Sequence, residues 1–392
     1  MSASCMPVLA ADGNDIGCRD FERADQLRRA IVRIVEQRES YILDHGLDSR
    51  FCMPDANWRA DADNDFLKAY RHVRDGGYDV LNRLRFWTQV FSGYSLMALS
   101  TAKGLDSVRS IPAELDERVR TYAKKSDRWR RFWLRHTRHL PKDLVFCPPR
   151  MLGEIGVDCG GVVVNHDTYV YQERINVLYE AGVIGWLRKR ETPLRILEIG
   201  GGYGGFAAAL RGIFPNSIYV ICDLPEALLF SGLYLLLAAR NEPIPVATGD
   251  DLGALIDRAN AVLLPNYLFD SLVRSGLHFD LAINTLSMSE MSAPQIGRYC
   301  EGIASLIAPN GLFFEQNHDN RRFGMLDCKA IVQRHFFARQ SVDACLAAMT
   351  EGKADLWANG SLAFLDCFAP PVGYWPPIRR LLRRAWRLTG RL

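Results

Sequence analysis

The segment ILEIGGGYGG at 196–205 constrains the fold of this chain more than any other. Five glycines occupy the six positions 200–205, directly after an apolar run that is interrupted by one acid, Glu198. Glycine loses more conformational entropy on folding than any other residue, so such a cluster does not stabilise a chain. The pattern therefore indicates a tight turn whose main chain is approached closely by another group.

From about residue 193 onward, short β-rich runs alternate with helical stretches. RILEIG, SIYVICDL, AVLLPN, FDLAIN and LFFEQN predict strands, and the last of these follows a turn predicted at Pro309-Asn310-Gly311. One helix is expected to start at Pro225, a favourable first helical position, and another at about 293–307. This alternation is typical of an α/β protein with a Rossmann-like, doubly wound parallel sheet.

Composition and charge exclude several classes of protein. The chain has 392 residues, 48% of them apolar and 24% charged, which is typical of a soluble globular protein. A net charge of +3 is too small to indicate nucleic-acid binding, so no nucleic-acid partner is expected. Ten cysteines without C-x-x-C spacing favour reduced thiols. With no signal-peptide pattern and no apolar stretch of ~20 residues, we expect a cytoplasmic protein.

The glycine stretch fits two nucleotide-binding patterns. Gly200, Gly202 and Gly205 match G-x-G-x-x-G, the dinucleotide fingerprint, which alone is a weak signal. The same letters contain Glu-x-Gly-x-Gly-x-Gly through Glu198, Gly200, Gly202 and Gly204. This second pattern resembles motif I of class I S-adenosylmethionine (SAM) methyltransferases.

Two acids favour a nucleotide-like ligand, and one of them, Glu198, favours SAM over a dinucleotide. Asp223 ends the second predicted strand, where either nucleotide needs an acid to hold its ribose hydroxyls. A carboxylate at Glu198 would repel a pyrophosphate, but it favours the sulfonium and ammonium groups of SAM. The alternative, an NAD-dependent oxidoreductase, rests on the match to the dinucleotide fingerprint.

A second resemblance lies downstream. FDLAINTLSMSEMS at 279–292 resembles the fourth-strand motif of a bacterial sugar O-methyltransferase family, in which a strand ending in Asn-Thr is followed by Ser-x-x-Glu-Met. VVNHDTYVYQERINVLYEAG at 163–182 resembles the segment that precedes motif I in that family. The resemblance covers roughly 150–345. It implies a SAM-binding methyltransferase domain at 151–372 that methylates a hydroxyl of a sugar, a glycan or a glycosylated metabolite.

The resemblance also implies roles for individual residues. Glu198 and the glycines would line the methionine part of SAM, and Asp223 would hold the ribose, with Leu224 beside the adenine. The implied cofactor-binding residues are Glu198, Gly200, Gly201, Gly202, Tyr203, Gly204, Asp223, Leu224, Asn284, Thr285 and Ser287, the last three between cofactor and acceptor. The residue that would contact the edge of the adenine follows the third strand. It is either one of Pro265 and Asn266 or one of Asp250 and Asp251.

Methylation of a hydroxyl needs a general base, and three places offer one. Glu290 follows the fourth strand, with a cap of the helix near Ser292 as its alternative role. His318 and Asp319 follow the fifth strand, and His166 precedes motif I. No carboxylate spacing is diagnostic of magnesium, so no essential metal is expected. The alternatives to a sugar methyltransferase are a methyltransferase with a non-sugar acceptor and a catalytically silent SAM-binding protein.

The first 150 residues predict a mainly helical lobe. DFERADQLRRAIVRIVEQRESYIL, VLNRLRFWTQVFSGYSLMALSTA and RVRTYAKKSDRWRRFWLRHTRHL show helical spacing of apolar residues, and CPPR at 147–150 indicates a boundary. We expect residues 1–150 to be a cap, an acceptor-binding lobe or an oligomerisation lobe. The segment RWRRFWLRH within it would pack as an ordinary helix or bind a glycan.

The last 20 residues, 373–392, predict a basic amphipathic helix. YWPPIRRLLRRAWRLTGRL places its arginines on one face and its leucines and tryptophan on the other, with no acid. Such a helix lies on anionic lipid, which would make the protein peripheral at the inner membrane face. The alternative is a helix docked on its own domain or on a second subunit of a homo-oligomer.

Overall fold

The computed structural model of the protein describes residues 7–9, 16–54, 65–88, 91, 111–191, 193–238, 243–249, 252–317, 326–342 and 354–360. In chain order its strands are β1 (Pro7–Leu9), β2 (Ile155–Cys159), β3 (Val162–Val164), β4 (Arg195–Ile199), β5 (Ile218–Asp223), β6 (Ala261–Pro265), β7 (Phe279–Thr285), β8 (Ile307–Gln316), β9 (Ala338–Val342) and β10 (Ala354–Ala358). Its helices are α1 (Cys18–Asp44), α2 (Ser49–Cys52), α3 (Asp65–Asp75), α4 (Tyr78–Leu81), α5 (Leu84–Trp87), α6 (Ile111–Thr137), α7 (His166–Glu180), α8 (Val183–Leu187), α9 (Gly205–Ile213), α10 (Pro225–Ala238), α11 (Leu252–Arg258), α12 (Phe269–Arg274), α13 (Ala293–Leu306) and α14 (Cys328–Val332).

Seven strands form one sheet in the order β6-β5-β4-β7-β8-β10-β9, and β1, β2 and β3 form a small antiparallel sheet. β6, β5, β4, β7 and β8 are parallel, whereas β10 runs antiparallel to both of its neighbours. The predicted Rossmann-like, doubly wound α/β fold is therefore confirmed.

The strand order reverses at β4, and ligands of such sheets bind at the carboxyl ends of the strands beside that reversal. The register fixes which residues meet there. Ile199 pairs with Cys222 of β5 on one side and with Asn284 of β7 on the other. The chain therefore leaves β4, β5 and β7 at one common edge.

Both faces of the sheet are buried, which explains the nearly continuous apolar strands. Successive side chains point to opposite faces, so Ile196 and Tyr219 join one hydrophobic cluster while Leu197 and Val220 join another. Every residue of β6, AVLLP, is buried.

The N-terminal helices share these clusters with the sheet. α1 packs along α10, where Leu263 of β6 and Leu27 of α1 fill the space beside Gly232. Arg38 of α1 forms a buried two-point ion pair with Glu226 of α10, with N···O distances of 3.0 and 2.9 Å. Residues from the predicted 1–150 lobe thus contribute to the core of the sheet region.

One local prediction needs correction. The helix predicted from residue 80 begins as two short helices, α4 and α5, because the Arg85 N–H bonds to the carbonyl of Leu152. The turn predicted at Pro309-Asn310-Gly311 lies within the bounds of β8, where residues 308–311 form a bulge between Ile307, paired with Phe279, and Leu312, paired with Leu281. The C-terminal segment 373–392 lies outside the described residues.

None of the helices in the described ranges combines the length and the apolar character needed to cross a bilayer.

Candidate functional site

The glycine stretch forms the turn from β4 to α9. Gly200, Gly202 and Gly204 have φ angles of 75°, 54° and 82°, in the left-handed region that favours glycine. A Cβ atom on Gly200 would overlap the side chain of Ser287, and one on Gly204 would lie 3.2 Å from Ser231. Part of the requirement for glycine therefore comes from neighbouring protein groups and not from a ligand alone.

Glu198 is buried directly below this turn. Tyr219 donates a hydrogen bond of 2.9 Å from its hydroxyl to Glu198 Oε2. Burial raises the pKa of Glu198 to about 7, although the Tyr219 hydrogen bond and the charge of Arg174 lower it. An added positive charge would therefore stabilise the ionised carboxylate.

Asp223, the last residue of β5, contacts the turn from the other side. Its carboxylate accepts hydrogen bonds from the N–H groups of Leu224, at 2.8 Å, and Gly202, at 3.2 Å. Burial raises the pKa of Asp223 to about 7, and the negative charges of Glu290 and Glu226 raise it further. The two predicted acids thus flank the glycine turn, and both are held in environments that disfavour their charge.

Arg174 is a functional candidate that the sequence did not reveal. It is buried on α7, its guanidinium lies 5.5 Å from the Tyr171 ring and 5.6 Å from the Phe206 ring, and its Nε donates to Gln316 Oε1 at 3.2 Å. Its charge lowers the pKa of Glu198. An arginine at this point of a helix gives no sequence signal of burial, because only the tertiary fold brings it beside β4 and β8.

Tyr203, the one side chain within the stretch of glycines, is buried under the turn. It lies among Tyr171, at 5.9 Å between ring centroids, and Tyr234, at 5.1 Å, both edge to face. The guanidinium of Arg85 covers its ring at 3.9 Å from the centroid. The predicted cofactor residue therefore faces the protein interior and connects the turn to α5 of the N-terminal lobe.

Arg85 is itself held by two carboxylates. Its Nε donates to Glu154 Oε2 at 2.7 Å, and its Nη2 donates to Asp167 Oδ2 at 2.8 Å. Glu154 also accepts from the amide of Asn165, which caps α7 by accepting from the N–H of Thr168. This cluster of buried charge is fully paired, so it fixes α5, the β2 region and the start of α7 against the glycine turn.

Asn284 and Ser287 hold the end of β7 against the end of β4. The Asn284 amide donates to the Ile199 carbonyl at 2.8 Å and to Ser287 Oγ at 2.6 Å. Ser287 Oγ also lies 3.3 Å from the same carbonyl. These two residues, predicted between cofactor and acceptor, thus occupy the space next to Gly200.

Asn317 completes this polar network and was not predicted. Its Nδ2 donates to Asn284 Oδ1 and to Glu315 Oε1, each at 2.8 Å, and its Oδ1 accepts from the N–H and hydroxyl of Ser289, each at 3.2 Å. Thr285 is buried at the end of β7, and Leu286 after it has a φ of 72°, a strained value for a residue with a Cβ. These hydrogen bonds hold the segment after β7 against the ends of β7 and β8.

Glu290 ends the 3-10 turn Ser287–Glu290 and is half-buried. It lies on the side of Asp223, whose pKa its charge raises. It does not cap α13, because Gln295 Oε1 accepts from the N–H of Ser292 at 3.0 Å and from its hydroxyl at 2.9 Å. The alternative role of Glu290 as the capping partner is therefore wrong.

The other candidate bases have different surroundings. His166 is the first residue of α7, with the Trp129 ring 6.0 Å away between centroids, and burial lowers its pKa. His318 and Asp319 lie outside the described residues, as do Asp250 and Asp251. The structure thus places Glu290 near the Asp223 side of the turn and His166 against α6.

The β6 end offers a further polar atom. Asn266 is buried and donates from Nδ2 to the Cys52 carbonyl at 2.9 Å, while its Oδ1 has no hydrogen-bond partner among the described residues. Leu224 is half-buried against the hydrophobic cluster nearby. Within the described ranges, no group of three or more His, Cys, Asp or Glu side chains is arranged to hold a metal ion.

No protein-family model matches the sequence, and no curated protein matches it. Solved structures match over about half of the chain. An O-methyltransferase family protein from Burkholderia thailandensis is 13% identical with a TM-score of 0.33, and the match covers 50% of this chain and 61% of that one. The N-methyltransferase NodS from Bradyrhizobium japonicum WM9 is 13% identical with a TM-score of 0.32, over 49% of this chain and 98% of that one. The mitomycin 7-O-methyltransferase MmcR is 13% identical with a TM-score of 0.30, over 49% of this chain and 57% of that one.

Proposed function

We propose that the protein is a class I SAM-dependent O-methyltransferase whose acceptor is a hydroxyl of a saccharide or a glycosylated small molecule. One observation carries the cofactor assignment. Glu198 and Asp223 flank the glycine turn at the reversal of the sheet, and burial raises the pKa of both to about 7. A site that disfavours two carboxylate charges gains most from a cationic ligand.

The side chains at this edge fit SAM in other respects. Asp223 projects from the end of β5, where a ribose would lie, and already binds the N–H of Gly202. The Oδ1 of Asn266, which has no hydrogen-bond partner in the part of the chain that the structure describes, is an acceptor of the kind that the amine of adenine needs. A pyrophosphate-bearing dinucleotide would instead add negative charge beside two carboxylates, which is unfavourable.

When bound, SAM supplies a methyl group activated by its sulfonium. The protein's part is to align the acceptor oxygen and to receive its proton. The segment after β7 ends at Glu290. It is held in place by hydrogen bonds of Asn284, Ser287 and Asn317. We assign Glu290 as the general base, because it is the candidate on the Asp223 side of the turn, with His318, Asp319 and His166 as the alternatives.

The sugar acceptor is supported by the resemblance of 279–292 to the fourth-strand motif of sugar O-methyltransferases. A non-sugar small molecule is the alternative acceptor. Incubation with methyl-labelled SAM and a panel of free sugars, sugar nucleotides and simple phenols distinguishes them. Label confined to saccharides and stable to mild alkali, as an ether is, supports the proposal, and label confined to phenols contradicts it.

Thermal unfolding with nucleotide ligands tests the cofactor assignment. S-adenosylhomocysteine at 100 times its dissociation constant should stabilise the protein by about 2.7 kcal/mol, whereas NAD should not. Stabilisation by NAD alone would assign an oxidoreductase. Binding of SAM without turnover on any acceptor, and without effect of Glu290→Ala, would assign a catalytically silent SAM-binding protein.

A further inference from the structure

Helix α6 carries a row of cations along one side. We define the basic stripe as Arg120, Lys124, Arg128, Arg131, Arg135 and Arg138. Arg138 directly follows the helix, and spacings of four, four, three, four and three residues place the six within one sector of about 80° at ~100° per residue. All six side chains are exposed. At ~1.5 Å per residue the stripe is about 27 Å long.

The protein does not neutralise the basic stripe. None of its six residues forms an ion pair with an acid among the described residues. Among the described residues, Arg128 lies 5.2 Å from the Phe132 ring, and Arg138 Nε donates to His139 Nε2 at 2.6 Å. Asp127 is an exposed acid at the edge of the stripe, and further acids of this helix lie before residue 120.

The opposite side of α6 explains how the helix is held. Trp129 and Trp133 are buried there in a cluster with Val157 of β2, Val164 of β3 and Tyr169 of α7. The packing requirement of α6 is therefore met without the basic stripe. Six cations kept together on the outer side repel one another, which costs free energy unless a partner compensates them.

The shape of the basic stripe favours a flat partner. Because the six cations share one side of α6 and its C-terminal end, they face a planar surface together. Leu134, 48% exposed, stands beside the stripe and offers an apolar side chain to the interface. The aromatic ring that contacts the stripe, Phe132, is half-buried against the cluster below α6, whereas surfaces that bind single-stranded nucleic acid stack bases on exposed aromatic rings.

We propose that the basic stripe docks the protein on the surface of an anionic lipid bilayer. Each Lys or Arg held near such a surface contributes about 1 kcal/mol, or about a fivefold gain in partition. Trp129 on the buried side of α6 contacts His166, at 6.0 Å between ring centroids. The docked surface thus lies about one helix diameter, ~10 Å, from the start of α7. The inference is independent of the proposed methyltransferase activity.

Flotation of the full chain with lipid vesicles tests the proposal. Vesicles of phosphatidylcholine with about 30% phosphatidylserine are compared with pure phosphatidylcholine at roughly 50 and 500 mM NaCl. The wild-type protein should float with the anionic vesicles at low salt and much less at high salt. Equal flotation with both vesicle types would overturn the proposal.

A triple variant locates the binding surface. Arg128→Gln, Arg131→Gln and Arg135→Gln together should weaken binding to anionic vesicles roughly 100-fold, since each removed charge contributes about fivefold. The matched control, Arg258→Gln with Arg274→Gln and Arg334→Gln, removes the same charge from exposed sites on α11, α12 and the residues after α14. It should change binding by less than about threefold.

Two results would overturn the proposal. If the stripe variant floats like the control, the lipid contact lies elsewhere in the chain. If the wild type binds random-sequence duplex DNA but not anionic vesicles, the stripe serves nucleic acid. Unchanged melting temperatures of both triple variants show that neither result comes from misfolding.

Discussion

Two clusters of buried charge lie beside the same glycine turn, and they differ in how the protein compensates them. In the first, which contacts the turn through Tyr203, Arg85 is paired with Glu154 and Asp167, so positive and negative groups meet at 2.7 and 2.8 Å. At the turn itself, Glu198 and Asp223 have their pKa raised by burial. Complete pairing marks a cluster that the fold uses to hold elements together. Incomplete compensation marks the place where added positive charge would be favourable.

Removing the cation from the paired cluster should have the largest effect. Arg85→Met leaves Glu154 buried with its charge uncompensated, so we expect a loss of about 3–5 kcal/mol in the free energy of unfolding. Urea denaturation measures it. The control is Arg188→Met, which breaks an exposed ion pair of 2.5 Å with Asp143 and should cost less than about 1 kcal/mol. Equal losses in the two variants would show that the Arg85 cluster is not a structural clamp.

A methyl group in the turn should have the next largest effect. In Gly200→Ala the new Cβ meets Ser287, and the residue must keep a φ of 75°. We expect a loss of about 2–3 kcal/mol in unfolding free energy, together with weaker binding of S-adenosylhomocysteine. The matched control is Gly212→Ala on α9, where a Cβ meets nothing within 4 Å and should be neutral or stabilise the helix by about 0.5–1 kcal/mol.

Ser287→Gly in the Gly200→Ala background separates the two causes. It removes the overlap and leaves the backbone strain, so it should recover part of the lost stability. No recovery would mean that Ser287 does not limit the space beside Gly200.

The smallest effect should come from the uncompensated cluster, with opposite sign. Glu198 has a pKa of about 7 in the folded protein against an ordinary value of 4.5, so the folded state binds the extra proton. Stability from this group is complete below pH 4.5 and is lost as the pH rises to about 7 and above. Glu198→Gln removes that loss. Without ligand, the free energy of unfolding of the variant minus that of the wild type should therefore be larger at pH 8 than at pH 5, by on the order of 2 kcal/mol.

The same substitution should weaken binding of SAM, because it removes a carboxylate from the site of a cationic ligand. Chemical denaturation at the two pH values and calorimetric titration with SAM measure the two changes. Glu301→Gln, at an exposed position, is the control and should alter stability by less than about 0.5 kcal/mol at either pH. A Glu198→Gln protein that is less stable at pH 8 would show that the carboxylate is compensated within the protein.

Local patterns were sufficient to predict the five parallel strands and the acids at their edge, but not β9 and the antiparallel β10. The glycine turn, Glu198 and Asp223 lie within a strand–turn–helix unit, where sequence order and spatial order coincide. Arg85, Arg174 and Asn317 were not predicted, because their partners are 69, 142 and 33 residues away along the chain. Periodicity indicates which face of an element is apolar, but it does not show which buried polar groups meet.

The interruption between α4 and α5 shows the same limit. Helical spacing from residue 80 onward predicts one helix, yet the N–H of Arg85 bonds to Leu152, almost 70 residues later. A tertiary hydrogen bond thus overrides the local preference. The continuous helix is broken where Arg85 must turn its guanidinium toward Tyr203.

The last carbonyl of β4 has a further consequence. Ile199 accepts hydrogen bonds from both Asn284 and Ser287, so the turn and the segment leading to Glu290 are joined at a single oxygen. Displacement of one segment must strain the other, which couples whatever molecules rest on them. By thermodynamic reciprocity, an occupant at one segment changes the affinity for an occupant at the other by the same factor in both directions.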